Sequence, residues 1–500
     1  MERNKKIRGI FYSAAYNYIG KLISTVIIFF SFILIVRILN VGDYAKYTFY
    51  LNAVFFVTLL LDFGLMEVAL RYIPEYKEKN NLAAVKGLLE AFSKIVLSAA
   101  FILILILFLV RPVFIFLKLN FDLSVWVLFG IVVFGCMRMV SIVLVNILNA
   151  FFFQTYRITV EIIMAALKLI AIYLLLKCGL GAWYLITAYA ILDLITSFAL
   201  YLRIHGLLAH QKPLLDNKSF TRMFKFGINE YLYKLFWFFT DNRFDIYLIG
   251  LILGATKAGY FAFAAGIMNM LVDWSPGFII RPVISPLFIS EYVAKKDFNR
   301  IRFLFRLHNK FLVFITLPVF LLLAVLADKI IVYVFDPKYA HSLEVLLILI
   351  CSMFFINIII PLRNIISVIE RPDISNLSNI AAFPKVIMIF LFAKMGGISA
   401  VAWAYAFSLL LILWINIALL KRIIALDYPW GAFLKITINA IAMGAVVYLC
   451  RPYIGGKISL FSAFIIAVVV YLIAAYFNKA FDDEDREIFN RAFKVKLWHF

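Results

Sequence analysis

The sequence predicts an all-α polytopic membrane protein of about fourteen spans, built as a two-fold parallel repeat. Three observations lead there. The chain is 65% hydrophobic and 17% aromatic, with a mean hydropathy of +0.99, more apolar surface than 500 residues can hide from water. Its basic residues are gathered in the gaps between apolar runs. Finally, charged residues recur at a nearly constant offset along the chain.

Apolar runs long enough to cross the hydrocarbon need about 20 residues each. They fall at 12–36, 46–70, 90–110, 124–149, 158–176 and 182–202. Six more follow at 226–250, 257–280, 311–334, 343–367, 377–393 and 398–420, and a last pair at 434–450 and 459–477. The first run follows a basic start (Arg3, Lys5, Lys6, Arg8) and carries no small-residue cleavage site, so it reads as an uncleaved span.

Charge sets the expected orientation. The net charge of +21 would suggest nucleic acid if it were spread over a soluble surface. Here it sits between spans, as at a cytoplasmic membrane face, and no nucleic-acid partner is expected. The inner set includes Lys77, Lys79 and Lys86, then Lys212, Lys218 and Arg222, then Lys295, Lys296, Arg300, Arg302 and Arg306. Both termini are then cytoplasmic. Cys136, Cys178, Cys351 and Cys450 have no CxxC spacing and the five histidines no ligand spacing, so neither a disulfide framework nor a metal site is expected.

The repeat is read from polar matches, because any two apolar helices align. At an offset of 213, Tyr18, Lys21 and Tyr47 fall on Tyr231, Lys234 and Tyr260. At 216, Lys79, Lys86 and Lys94 fall on Lys295, Arg302 and Lys310, and Ala188-Tyr189-Ala190 on Ala404-Tyr405-Ala406. At 217 Lys168 meets Lys385, and at 218 Asn146 meets Asn364. Six spans is an even number, so the halves enter the membrane in the same direction. The expected division is residues 1–208, 209–424, an appended helix pair at 425–478 and a cytoplasmic tail at 479–500.

Ionisable residues inside spans mark function by default, since each costs about 2.5–3.5 kcal/mol at mid-bilayer on insertion scales. The candidate carboxylates are Asp62, Asp241, Asp245 and Asp273, able to take up H+ or Na+ for coupling. Asp241 and Asp245, four apart, are expected on one helix face with Arg243 pointing away. Asp62 also reads as a cap or pairing partner at a Gly64 kink. The candidate cations for an anionic cargo are Lys21, Arg138, Lys234, Arg243, Arg281 and Arg363. Lys21 and Lys234 also fit snorkelling to headgroups. Lys168 is expected to pair with Asp193. No phosphate-loop, GxSxG or HExxH motif is present, and no long outer loop could house a reaction centre, so an enzyme is not expected.

Val36-Arg37-Ile38-Leu39-Asn40-Val41-Gly42-Asp43-Tyr44, then Leu61-Asp62-Phe63-Gly64-Leu65, and Asp245-Ile246-Tyr247-Leu248-Ile249-Gly250 followed by Ala258-Gly259-Tyr260 resemble the polysaccharide-transporter family of oligosaccharidyl-lipid flippases. That family shares a superfamily with multidrug antiporters and lipid II flippases. The resemblance spans about residues 1–480. It implies two six-helix lobes around a central cavity, alternating access, no cofactor, and an undecaprenyl-phosphate-linked sugar as cargo. It further implies a bacterial or archaeal cytoplasmic membrane, membrane lipids as surroundings, and a polysaccharide polymerase as a pathway partner. Arg37 resembles the first-span arginine that faces the cavity, and the helices carrying Lys168 and Lys385 are implied to be peripheral and structural. Phe226-Gly227-Ile228-Asn229-Glu230 lacks the proline common at the start of the second half. A drug or metabolite antiporter of the same superfamily is the alternative, with a membrane glycosyltransferase or polymerase behind it.

Overall fold

The computed structural model describes residues 2–116, 125–151, 153–214, 217–275, 298–369, 371–483 and 485–486. Among them every regular element is helical. In lipid, where backbone polar groups find no water, a helix satisfies them within its own segment.

The chain divides into two compact units, Met1–Leu235 and Phe236–Phe500. The first holds α1 (Glu2–Ile38), α2 (Val41–Leu60), α3 (Leu65–Glu78), α4 (Leu82–Phe116), α5 (Val125–Ala150), α6 (Gln154–Lys177), α7 (Ala182–Leu208) and most of α8 (Asn217–Thr240). The second holds α9 (Asn242–Leu253), α10 (Ala255–Asp273), α11 (Phe298–Ile330), α12 (Leu343–Val368), the short α13 (Pro372–Ser378), α14 (Ala382–Leu420), α15 (Trp430–Cys450) and α16 (Lys457–Asn478).

Packing pairs recur between the units at the sequence offset. In the first unit α1 packs on α6, α2 on α5, and α5 on α7; in the second α9 packs on α14, α10 on α12, and α12 on α14. The appended helices join the second unit, α15 against α11 and α16 against α15. The Tyr471 hydroxyl donates to the Phe314 carbonyl at 2.6 Å.

Ten helical runs of the described residues are long and apolar enough to cross a membrane, eleven if α2 and α3 count as one bent span. The expected spans 377–393 and 398–420 fall in one apolar run, Asp373–Leu420, most of it α14. Gly397, at φ 63 and ψ −148, breaks it into two legs, a conformation that favours glycine.

Two expected spans are broken. Span 46–70 becomes α2 and α3, bent by 59°, with Phe63 at φ 41 and Gly64 at φ 73 in the bend. Span 226–250 becomes α8 and α9, parted at Asp241 (φ −72, ψ 149), whose side chain caps α9 by accepting from the Arg243 N–H. The expectation of one continuous helix carrying Asp241 and Asp245 on a shared face, with Arg243 turned away, is therefore corrected. An aspartate can serve as an N-cap, and here the cap starts a new helix.

Candidate functional site

Each unit contains a buried ionic cluster at its broken span. In the first, the α2–α3 bend exposes the N-terminus of α3, and Asp62 Oδ1 accepts from the Met66 N–H at 3.1 Å. Its other oxygen takes a hydrogen bond from Lys234 Nζ on α8 at 2.7 Å, and Glu67 lies 3.5 Å from the same ammonium. Asp62 is thus both cap and ion-pair partner at the Gly64 bend. Beside it, the Phe63 and Tyr231 rings stack at 5.3 Å. Gly64 admits the close approach of α8, because a Cβ there would collide with the Gly227 backbone.

In the second unit the break at Asp241 gathers four charges. Arg243 donates to Asp241 at 3.3 Å. Asp245, one turn into α9, lies 2.6 Å from Lys385 on α14, and neither side chain has any exposed surface. Lys385 Nζ also donates to the Asp241 carbonyl at 3.2 Å, under the rings of Phe244 and Tyr405 at 6.0 and 5.8 Å. Neither Asp245 oxygen accepts a well-angled hydrogen bond, so its charge rests on this one ammonium. Next to the cluster the Asn242 amide donates to Asn269 at 3.0 Å.

The repeat appears here as chemistry. Lys168 and Tyr189 in the first unit are the sequence mates of Lys385 and Tyr405, and Lys168 Nζ likewise lies over the Tyr189 ring at 5.5 Å. Both lysines meet a carboxylate, but from different helices: Lys168 takes Asp193 of α7 at 2.5 Å, the expected partner, and Lys385 takes Asp245 of α9. The mates Asn146 and Asn364 are both buried.

A model of the polysaccharide biosynthesis protein family matches residues 7–288, more than half of the chain. The chain belongs to that family. Solved structures similar to it include the inward closed conformation of the lipid II flippase MurJ, at TM-score 0.71 and 16% identity, covering 96% of this chain and 99% of that one. An inward-facing multidrug resistance MATE transporter of the MOP superfamily follows, at TM-score 0.62 and 12% identity over 82% of this chain and 100% of that one. The MATE multidrug transporter DinF-BH matches at TM-score 0.57 and 16% identity over 82% and 94%. At such identities the likeness is one of fold. A search of curated protein sequences finds no match.

Within this flippase-like fold the candidate residues separate. Lys234 and Asp62 come together, as do Asp241 and Arg243, with Asp245 beside them. Lys21, the mate of Lys234, is exposed on α1, and Arg37 is exposed in the last turn of that helix. Arg138 is exposed on α5, within electrostatic reach of Tyr47. Arg363 is half-buried on α12, and Asp273 is exposed at the end of α10. Arg281 lies outside the described residues. Sequence reasoning did not bring Lys385 to Asp245 or Glu67 to Lys234. The signal for Lys385 was present: its mate Lys168 has a carboxylate on the next span, at Asp193, whereas the equivalent stretch of α14 offers Lys385 none.

Proposed function

We propose that the chain translocates an undecaprenyl-pyrophosphate-linked oligosaccharide, a unit of O-antigen, capsule or exopolysaccharide, across a bacterial or archaeal cytoplasmic membrane. The repeats at 1–208 and 209–424 would act as the two alternating lobes, with both termini cytoplasmic. One observation carries the choice of cargo. Each of the five aspartates buried among the described residues (Asp62, Asp193, Asp241, Asp245 and Asp485) already holds a lysine or arginine. Arg138, within an apolar helix, is exposed with no ion pair among the described residues. Among the described residues, the mid-span charge left without an ion pair is therefore a positive one, which suits a pyrophosphate. A drug antiporter for cations needs an unoccupied carboxylate instead.

Coupling is assigned to the α9 cluster. Buried charges that move or neutralise respond to the transmembrane potential, worth about 2.3 kcal/mol per elementary charge per 100 mV. A proton transferred to Asp245 breaks its pair with Lys385, changing the balance between states. The ammonium stands where a sodium ion would have to bind, which favours H+ over Na+.

The test uses the full chain in vesicles, with undecaprenyl-pyrophosphoryl oligosaccharide as cargo and a cationic dye as the competing substrate. Arg138→Lys should keep part of the flipping and Arg138→Gln abolish it at unchanged protein level. Dye accumulation without flipping, or full flipping by Arg138→Gln, would overturn the reading.

A further inference from the structure

The second unit contains another built site, far along the sequence from the α9 cluster. A cavity of about 450 Å³ is lined by Arg306 and Lys310 of α11, by Asp427, Tyr428 and the first turn of α15, and by Lys435 and Asp482. Behind it the segment after α16 folds back. Lys310, nearly wholly buried, lies 2.6 Å from Asp485 and 2.7 Å from Asp482 and is neutralised by them.

The groups facing the cavity are charged in both senses and incompletely used. Lys435 Nζ donates to the Lys479 carbonyl at 3.1 Å and lies within electrostatic reach of Asp482, without an ion pair inside 4.0 Å among the described residues. Arg306 is 4.0 Å from Asp427, and its Nε is buried without a hydrogen bond. The Tyr428 hydroxyl is likewise buried and unbonded. Helix α15 has no side-chain cap, and its first-turn residues Gly431 and Ala432 line the cavity, so the positive dipole end of the helix lies there. Opposite these donors, Asp427 presents a carboxylate that is 60% exposed. The rings of Phe305, Tyr428 and Trp430 form a continuous edge, with centroids 5.3 and 5.6 Å apart.

A plain anion would meet repulsion from Asp427 and Asp482, and a plain cation from Arg306 and Lys435. We propose that this cavity binds the headgroup of a zwitterionic phospholipid of the phosphoethanolamine class. Its phosphate lies on the α15 N-terminus, Arg306 and Lys435. Its ammonium lies on Asp427 and the Tyr428 and Trp430 faces. The acyl chains have a path: Trp430, Leu434, Ile438 and Ile441 are all exposed and run down one face of α15 from the cavity. That continuity assigns the phosphate to a membrane lipid rather than to a soluble ester. By the charge distribution, this end of α15 is the cytoplasmic one. The site is independent of the cargo and of the coupling cluster.

The experiment measures lipid retention by the purified full chain in native mass spectrometry. Phosphatidylethanolamine competes with phosphatidylglycerol, and glycerophosphoethanolamine serves as the soluble headgroup. The parent should retain phosphatidylethanolamine over phosphatidylglycerol by roughly tenfold, the ratio that a contact of about 1.4 kcal/mol gives. Asp427→Asn, at an exposed side chain, should remove that preference, and Lys435→Gln should lower retention of both lipids alike. Equal retention by the parent, a preference for phosphatidylglycerol, or an unchanged preference in Asp427→Asn would overturn the proposal. So would displacement of the lipid by an equal concentration of glycerophosphoethanolamine, or Lys435→Gln retaining both lipids as the parent does.

Discussion

Replacing Lys385 by Met removes the cation that, among the described residues, pairs with Asp245. The two groups are 2.6 Å apart with no exposed surface. At an effective dielectric of about 20, charges at that separation attract by roughly 6 kcal/mol before the desolvation of both ions is subtracted. No well-angled hydrogen bond supports either Asp245 oxygen, so the variant leaves a buried carboxylate uncompensated, a change that costs about 3–5 kcal/mol. The pair Lys385→Met with Asp245→Leu removes both charges and should recover most of that loss, since apolar replacements of buried ion pairs are often neutral or better. Thermal inactivation in detergent and protein abundance in membranes report the stability. A single variant as stable as the parent, or a double variant as damaged as the single, would refute the argument. Transport separates scaffold from coupling. The stable double variant should flip cargo but ignore an imposed pH gradient. If it responds to the gradient as the parent does, the pair is structural and coupling lies elsewhere.

Three further outcomes are expected. Gly64→Ala places a Cβ against the Gly227 backbone at a left-handed residue, which alone costs about 1–2 kcal/mol. The yield of monodisperse protein should fall sharply, and a normal yield would show that α8 can shift freely. Lys234→Ala should lower the thermal midpoint more than Lys21→Ala, because Lys234 neutralises buried Asp62 while its repeat mate is exposed; equal shifts would remove the distinction between the two. The hydrogen bond from Lys310 holds the Asp482 carboxyl below its ordinary value of 3.8. Its folded pKa is depressed, so its contribution to holding the tail is present above pH 3.8 and is lost as pH falls through the lower folded value. Hydrogen exchange of residues 478–483 should stay slow from about pH 7 to about 4.5 and rise below that range only, after correction for intrinsic rates; a rise already near pH 6 would point to another group.

Much of the scaffold was legible because lipid leaves few choices. A run such as Ala382–Leu420 must satisfy its backbone internally, so hydropathy alone marks it as helical, and Gly396-Gly397 between its two legs marks the break. The repeat was legible for a related reason. Polar residues are rare enough in apolar helices that Lys168 and Lys385, or Tyr189 and Tyr405, stand out at one offset, and the structure gives both pairs the same cation–ring contact. The Lys168–Asp193 pair could be read because its partners lie on consecutive helices joined by a short turn.

What the sequence by itself determined, then, is the solvent of the chain, its helices, its internal duplication and the list of charges that lipid must be kept from. Tertiary structure decided which charges meet. Hydropathy cannot distinguish a continuous helix from one parted by a capping aspartate, since Asp241 costs the same on either reading; only the folded structure shows that it caps α9 and takes the Arg243 guanidinium. Nor does spacing disclose that Lys385 reaches Asp245 across some 140 residues, or that Lys310 closes on Asp482 and Asp485 beyond the last helix. Coulomb attraction depends on separation in space and on burial, and a linear sequence encodes neither for residues brought together by different helices.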